Sequence, residues 1–265
     1  IINKDNKTYR NIIMDDIQAE DTLAFSATYH NLDDVNFTYS EAEAIKNNFI
    51  TDYTINVNYF TDGDKTKGLV KLVKENVGLW SPMFVYFNSN KKCEDFNKLL
   101  VKEGIRSVCI NGDTKSKIRN KYKKKIENGL IDVVVLCGCY NEGISIDNIQ
   151  TIIYGDMRYS SINKNQTRTR ANRLHYKKPY YRVILPLIKN DLNDNDLKDL
   201  IVGFSKLDSR LKKEIKNKNF SRIRIKIHNN DKIEELEDSE FLYQEIYDKF
   251  GTFIGLSVGE KVNEF

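Results

Sequence analysis

Five short apolar runs constrain this chain more than any other feature: Met83–Phe87, Ser107–Ile110, Asp132–Leu136, Gln150–Tyr154 and Tyr181–Leu185. Each is too short for a stable helix and mostly apolar, so each reads as a strand covered on both faces. Helical patterns separate the first three. Lys91–Lys102 places Phe96, Leu99 and Leu100 inward and ends at Gly104, and the basic stretch Lys115–Glu127 ends at Asn128-Gly129. Buried strands alternating with helices predict a parallel α/β sheet flanked by helices. Ligands on such a sheet collect at the loops beyond the strand C-termini.

The flanks differ from this middle. Before it, Tyr9–Met14 and Leu23–Phe25 are short apolar pieces, Ser40–Asn47 reads as a helix, and Thr54–Tyr59 alternates like a strand. After a boundary near Lys189, Asp191–Lys216 carries Leu197, Leu200, Ile201, Phe204 and Leu211 on one helical stripe. Ser221–His228 alternates strictly, which sets Ile223, Ile225 and Ile227 against Arg222, Arg224 and Lys226. Lys232–Phe250 reads as helical again. Residues 190–265 are therefore expected to form a small α+β C-terminal appendage.

Bulk properties exclude some functions. The formal charge of +4 over 265 residues permits a nucleic-acid partner without arguing for one. No apolar run approaches the ~18 residues of a membrane span, so no membrane partner is expected. The cysteines (Cys93, Cys109, Cys137 and Cys139) form no C-x-x-C pair and read as reduced thiols of an intracellular protein. A first residue other than Met suggests a fragment.

Gln166, Arg170 and Arg173 are spaced by four and three, which on a helix brings them to one face. Such a face is either a solvated basic helix end or a clamp for a polyanion. Guanidinium forks match phosphate oxygens and stabilise the charge that spreads in phosphoryl transfer.

The stretch Gln166-Thr167-Arg168-Thr169-Arg170-Ala171-Asn172-Arg173 resembles motif VI of superfamily 2 helicases, with Thr169 where that family usually has Gly. Asn141-Glu142-Gly143-Ile144-Ser145-Ile146 resembles motif V. It differs in having Cys137 upstream where a Thr is common, and Ser145 where many relatives have an Asp. Met83–Ser89 resembles motif IV, and Ile110-Asn111-Gly112-Asp113 with Arg119 resembles the next block of these lobes. Phe25-Ser26-Ala27-Thr28 resembles motif III, and Ser40–Tyr53 is similar to the lobe-to-lobe connection.

The resemblance implies a RecA-like parallel sheet flanked by helices. Residues 1–53 would be the remnant of a first RecA-like lobe with its connection, and residues 54–189 a second lobe. It implies an ATP-dependent motor acting on nucleic acid, DNA or RNA. Arg170 and Arg173 would be arginine fingers beside Gln166. Gly143, Ser145, Ser26 and Thr28 would serve ATP binding and coupling, and Asn88, Ser89, Gly112, Asp113 and Cys137 would lie near the bound strand.

Two parts such a motor needs are missing from the 265 residues. No Gly-rich loop ends in Gly-Lys-Thr or Gly-Lys-Ser, and Gly63-Asp64-Lys65-Thr66 only mimics one. No Asp-Glu dipeptide is present to hold Mg²⁺. ATP and Mg²⁺ would therefore both depend on an N-terminal lobe supplied in cis. The competing expectation is a lone RecA-like module that binds nucleic acid or a partner without turnover. His175 is expected to cap a helix C-terminus, and the Lys121–Lys125 run to be a solvated helix face.

Overall fold

The computed structural model describes residues 39–61, 64–137, 146–156, 167–188, 201, 204–205, 208–217, 221–229 and 232–236. Helix α1 (Glu41–Lys46) opens with a capping box. The Ser40 hydroxyl accepts from the Glu43 N–H, and the Glu43 carboxylate accepts from the Ser40 N–H at 2.8 Å. Strand β1 (Asp52–Phe60) leads to helix α2 (Lys65–Trp80), followed by β2 (Met83–Phe87), α3 (Asn90–Lys102), β3 (Ser107–Ile110), α4 (Ser116–Glu127), β4 (Val133–Cys137), β5 (Thr151–Tyr154), β6 (Tyr180–Ile188), α5 (Ser209–Lys216), β7 (Ile223–Asn229) and β8 (Lys232–Leu236).

The strands form one sheet in the order β3-β4-β2-β5-β6-β1-β7-β8. The first seven pair in parallel, and only β8 runs antiparallel, against β7. This is the RecA-like parallel α/β sheet expected from the alternating pattern.

Alternate strand residues supply two cores, one on each face. On one face Phe84, Tyr86, Val134, Leu136, Ile152 and Val183 pack with Ile126 of α4 and with Ile201, Phe204 and Leu211. On the other, Met83, Val85, Val133, Val135 and Ile184 pack against Leu69, Leu72 and Val73 of α2 and Cys93, Phe96 and Leu100 of α3. Leu99, expected to point inward, is 38% exposed, whereas Cys93 is at 0%. The buried stripe is i, i+3, i+7, and Leu99 lies off it.

Helix α2 is not among the elements read from the sequence. The Asp64 carboxylate caps its start by accepting from the Lys67 N–H at 3.0 Å, so the apparent Gly-Asp-Lys-Thr motif is a helix N-terminus. Gly68 lets α2 lie tightly on β1, because a Cβ there would meet the Phe60 ring at 2.4 Å.

The stretch after Lys189 shares the main sheet and core wherever it is described. Ile223–His228 pair in register with Ile55–Phe60 of β1. Ile223 and Ile225 are buried as the alternation predicts, while Ile227 is half-buried. Lys232–Leu236 is a strand, which corrects the helical expectation there. Its backbone pairs with the otherwise open edge of β7, and pairing outweighs local propensity. The remaining residues read as helical, 237–250, lie outside the described residues, as do Leu197 and Leu200.

Candidate nucleotide and nucleic-acid sites

Because β2, β3, β4 and β5 are parallel neighbours, their C-terminal loops share one edge of the sheet. Asn88 and Ser89 follow β2, Gly112 and Asp113 follow β3, and Cys137 ends β4. The sheet thus gathers the residues expected near a bound strand. Ser89 stands at the N-cap of α3 without a side-chain capping bond. Gly112 and Asp113 are exposed, and Cys137 is buried.

Two residues not assigned these roles from sequence shape this edge. Asp156, just past β5, accepts from the Asn88 backbone N–H at 3.1 Å and from Lys92 Nζ at 2.8 Å, which braces the β2 loop. Arg119 donates to the carbonyls of Thr114, Asn111 and Gly112 at 2.7, 3.0 and 3.0 Å. Its guanidinium holds the β3 loop in shape. Asn111 tightens the same loop by accepting from the Asp113 N–H at 3.1 Å.

The segment carrying the expected fingers takes a different path. Thr167 and Arg168 are helical, and the chain then turns: the Arg170 N–H bonds the Thr167 carbonyl at 3.2 Å and the Ala171 N–H that of Arg168 at 3.0 Å. The shared helix face expected for Gln166, Arg170 and Arg173 is therefore not formed over 169–173. Arg170 is half-buried and Arg173 exposed. Arg173 Nη1 stands 3.4 Å from Asp147, ahead of β5, and its carbonyl accepts from the Thr51 hydroxyl, ahead of β1, at 2.8 Å. Arg173 thus sits at the N-terminal edge of the strands, opposite the loops described above. Gln166, Gly143, Ser145, Ser26 and Thr28 lie outside the described residues.

Arg168 holds this segment in place. It is 1% exposed and meets the Glu41 carboxylate with both terminal nitrogens, Nη2 to Oε2 at 2.5 Å. Nη1 also donates to the Tyr181 hydroxyl at 3.0 Å, and the guanidinium lies over the Phe204 and Tyr53 rings, 4.6 and 5.2 Å from their centroids. The turn is thereby tied to α1, inside the stretch similar to the lobe-to-lobe connection. No sequence signal marked Arg168, since its partner Glu41 lies 127 positions away.

Lys178 is 3% exposed and donates to the carbonyls of Asp147 and Ala171 at 2.7 and 2.8 Å. Burial pushes its pKa down to about 8, against the pull of Asp147 and assisted by Arg173. His175 does not cap a helix; it forms a small bridge with Lys178, and burial and the neighbouring lysines hold its pKa below the usual value. Among the described residues no group of three or more His, Cys, Asp or Glu is placed to hold a metal ion. No helix among them is long and apolar enough to cross a membrane.

The parallel strand order and the flanking helices define a RecA-like α/β lobe. Residues 64–175 match the helicase conserved C-terminal domain. The ATP-dependent RNA helicase DeaD of Haemophilus influenzae is 33% identical over 63 residues, which are 24% of this chain and 10% of that protein. A Saccharomyces cerevisiae protein bearing the name ATP-dependent helicase IRC3 is 30% identical over 91 residues, 34% of this chain and 13% of that one. The matched stretches thus cover only about a tenth of the length of these relatives. Among solved structures, the ATP-dependent Type ISP restriction-modification enzyme LlaBIII bound to DNA shares the fold at a TM-score of 0.58 and 17% identity. That match covers 85% of this chain and 18% of that one.

Proposed function

We propose that the chain is the C-terminal part of an ATP-dependent nucleic-acid helicase or translocase, catalytically incomplete by itself and acting inside the cell. The observation that carries this reading is the helicase conserved C-terminal match over residues 64–175, which contains both arginines and every strand-end loop described above. Arg170 and Arg173, beside Gln166, serve as fingers for ATP held in a cleft with a preceding lobe. Their charge stabilises the phosphoryl group as it transfers. Gly143, Ser145, Ser26 and Thr28 belong to ATP binding and coupling. Mg²⁺ would be held by the same preceding lobe. Its chemistry there is to neutralise phosphate charge.

On the opposite edge, Asn88, Ser89, Gly112, Asp113 and Cys137 lie along the path of a DNA or RNA strand. Contacts from backbone and small polar groups set register and carry no sequence information. Closing and opening of the cleft then moves the strand.

The test is phosphate release by the purified 265-residue chain, with and without single-stranded nucleic acid. The expected result is salt-dependent binding of the strand and no ATP hydrolysis above background. Steady, strand-stimulated release from this chain would overturn the proposal. A longer natural protein that binds nucleic acid but never hydrolyses ATP would favour the non-catalytic binding module.

A further inference from the structure

Cys93 of α3 and Cys109 of β3 lie sixteen residues apart, and their sulfurs stand 2.7 Å from each other. Cys93 is fully buried and Cys109 half-buried, and both are thiols. A helix and a strand of one packed core hold them, so the pair does not depend on a loop to meet. Disulfide sulfurs lie about 2.05 Å apart, a closure of well under one ångström from here.

We propose that Cys93 and Cys109 form a dithiol that closes to a disulfide on reaction with a hydroperoxide. Cys109 is the half-buried, attacking thiol. The hydrogen bond with Cys93 holds its pKa below the usual thiol value although burial opposes this, which favours the reactive thiolate. Burial pushes the Cys137 thiol the other way, which keeps it inert.

The Cys109 thiolate attacks one peroxide oxygen. The O–O bond breaks, leaving Cys109 as a sulfenic acid and releasing hydroxide, which takes up the proton Cys109 gave up. Cys93 then attacks the Cys109 sulfur, the S–O bond breaks, and the hydroxyl leaves as water with the Cys93 proton. In sum, two thiols and one hydrogen peroxide give one disulfide and two waters, with two electrons passing from sulfur to peroxide.

The crosslink ties the roots of the two loops already described. The Cys93 N–H bonds the Ser89 carbonyl at 3.0 Å, and Cys109 precedes Asn111 by two residues. Under the nucleic-acid reading, on which this consequence rests, oxidation fixes the spacing of Asn88-Ser89 relative to Gly112-Asp113 and changes strand affinity.

The purified chain, fully reduced and then treated with hydrogen peroxide, should lose about 2 Da and regain it with dithiothreitol. Peptide mapping should join the Cys93 and Cys109 peptides, with Cys137→Ser unchanged. In Cys93→Ser, Cys109 should instead be trapped by dimedone as a sulfenic acid. Wild-type protein that gains about 16 or 32 Da without a joined peptide, or that pairs through Cys137 or Cys139, would overturn the dithiol. The wild-type result needs no variant to fold. A labelled strand titrated with the reduced and oxidised chains should show different affinities. A disulfide that forms with affinity unchanged overturns the control of binding alone.

Discussion

Around β2, β4 and β5 the sheet is filled by apolar and aromatic side chains, among them Met83, Phe84, Val85, Tyr86, Val133, Val135, Ile152 and Tyr154, and the nearby Arg106–Asp132 pair leaves Arg106 largely in solvent. Around β1, β6 and β7 buried ion pairs are added to the apolar packing. Arg168 is enclosed by Glu41, Tyr181, Tyr53 and Phe204. Asp208, at 0% exposure, binds Arg210, and Arg222 joins Asp52 and Glu214. The first region is held by area removed from water, which is non-directional. The second is held by fixed geometry, since a buried charge is tolerated only with its partners in place. The turn that carries Arg170 and Arg173 lies in the second region, where orientation matters.

The largest effect should come from breaking that geometry. Arg168→Leu leaves Glu41 facing an apolar wall and should destabilise the chain by roughly 3–5 kcal/mol in denaturant unfolding. Adding Glu41→Leu should restore much of that loss, giving a large coupling energy in a double-mutant cycle. Additive losses would show that the two regions do not differ in the way described.

Lys178 makes the same contrast visible through pH. Its folded pKa is near 8, while in the unfolded chain a lysine holds its proton to about 10.4. Between those values the unfolded state binds more protons, so stability rises with pH across roughly 8 to 10. The neutral amine still donates to both carbonyls. Wild-type stability should therefore climb in this window relative to Lys178→Met. Parallel pH profiles for the two proteins would remove Lys178 from the buried ionic set.

The smallest effect belongs to the surface of the first region. Arg106 meets Asp132 at 2.8 and 2.5 Å, yet its side chain is 57% exposed. Arg106→Ala should leave the unfolding midpoint essentially unchanged, because solvent screens such pairs. A loss comparable to that of Arg168→Leu would erase the distinction between the regions.

The same contrast explains what was legible in the sequence. Continuous apolar runs have one physical reading, so β2 and β3 appear at the predicted residues and β4, β5 and β6 within a few. Helix α2 escaped because Gly68 and Gly78 interrupt its pattern, and its Asp64 cap looked like part of a phosphate loop. The ionic half was opaque because its pairs join distant residues. Arg168 and Glu41 are 127 positions apart, and Arg222 and Asp52 are 170. Arg222, expected on a free basic face, is half-buried in that network. The candidate strand-binding loops were legible because the parallel order delivers them to one edge. The stretch Gln166–Arg173 was marked by resemblance, but the turn over 169–173 was not, since spacing alone suggested a continuing helix.

The most direct measurement is ATP turnover by the full-length natural protein carrying Arg170→Ala or Arg173→Ala, with nucleic acid saturating. Fingers that act only on the transferring phosphoryl group are worth about 10³–10⁵ in rate, so kcat should fall by about 10³ or more while nucleotide affinity changes far less. Near-normal turnover in both variants would contradict the assignment of this turn as the finger-bearing element.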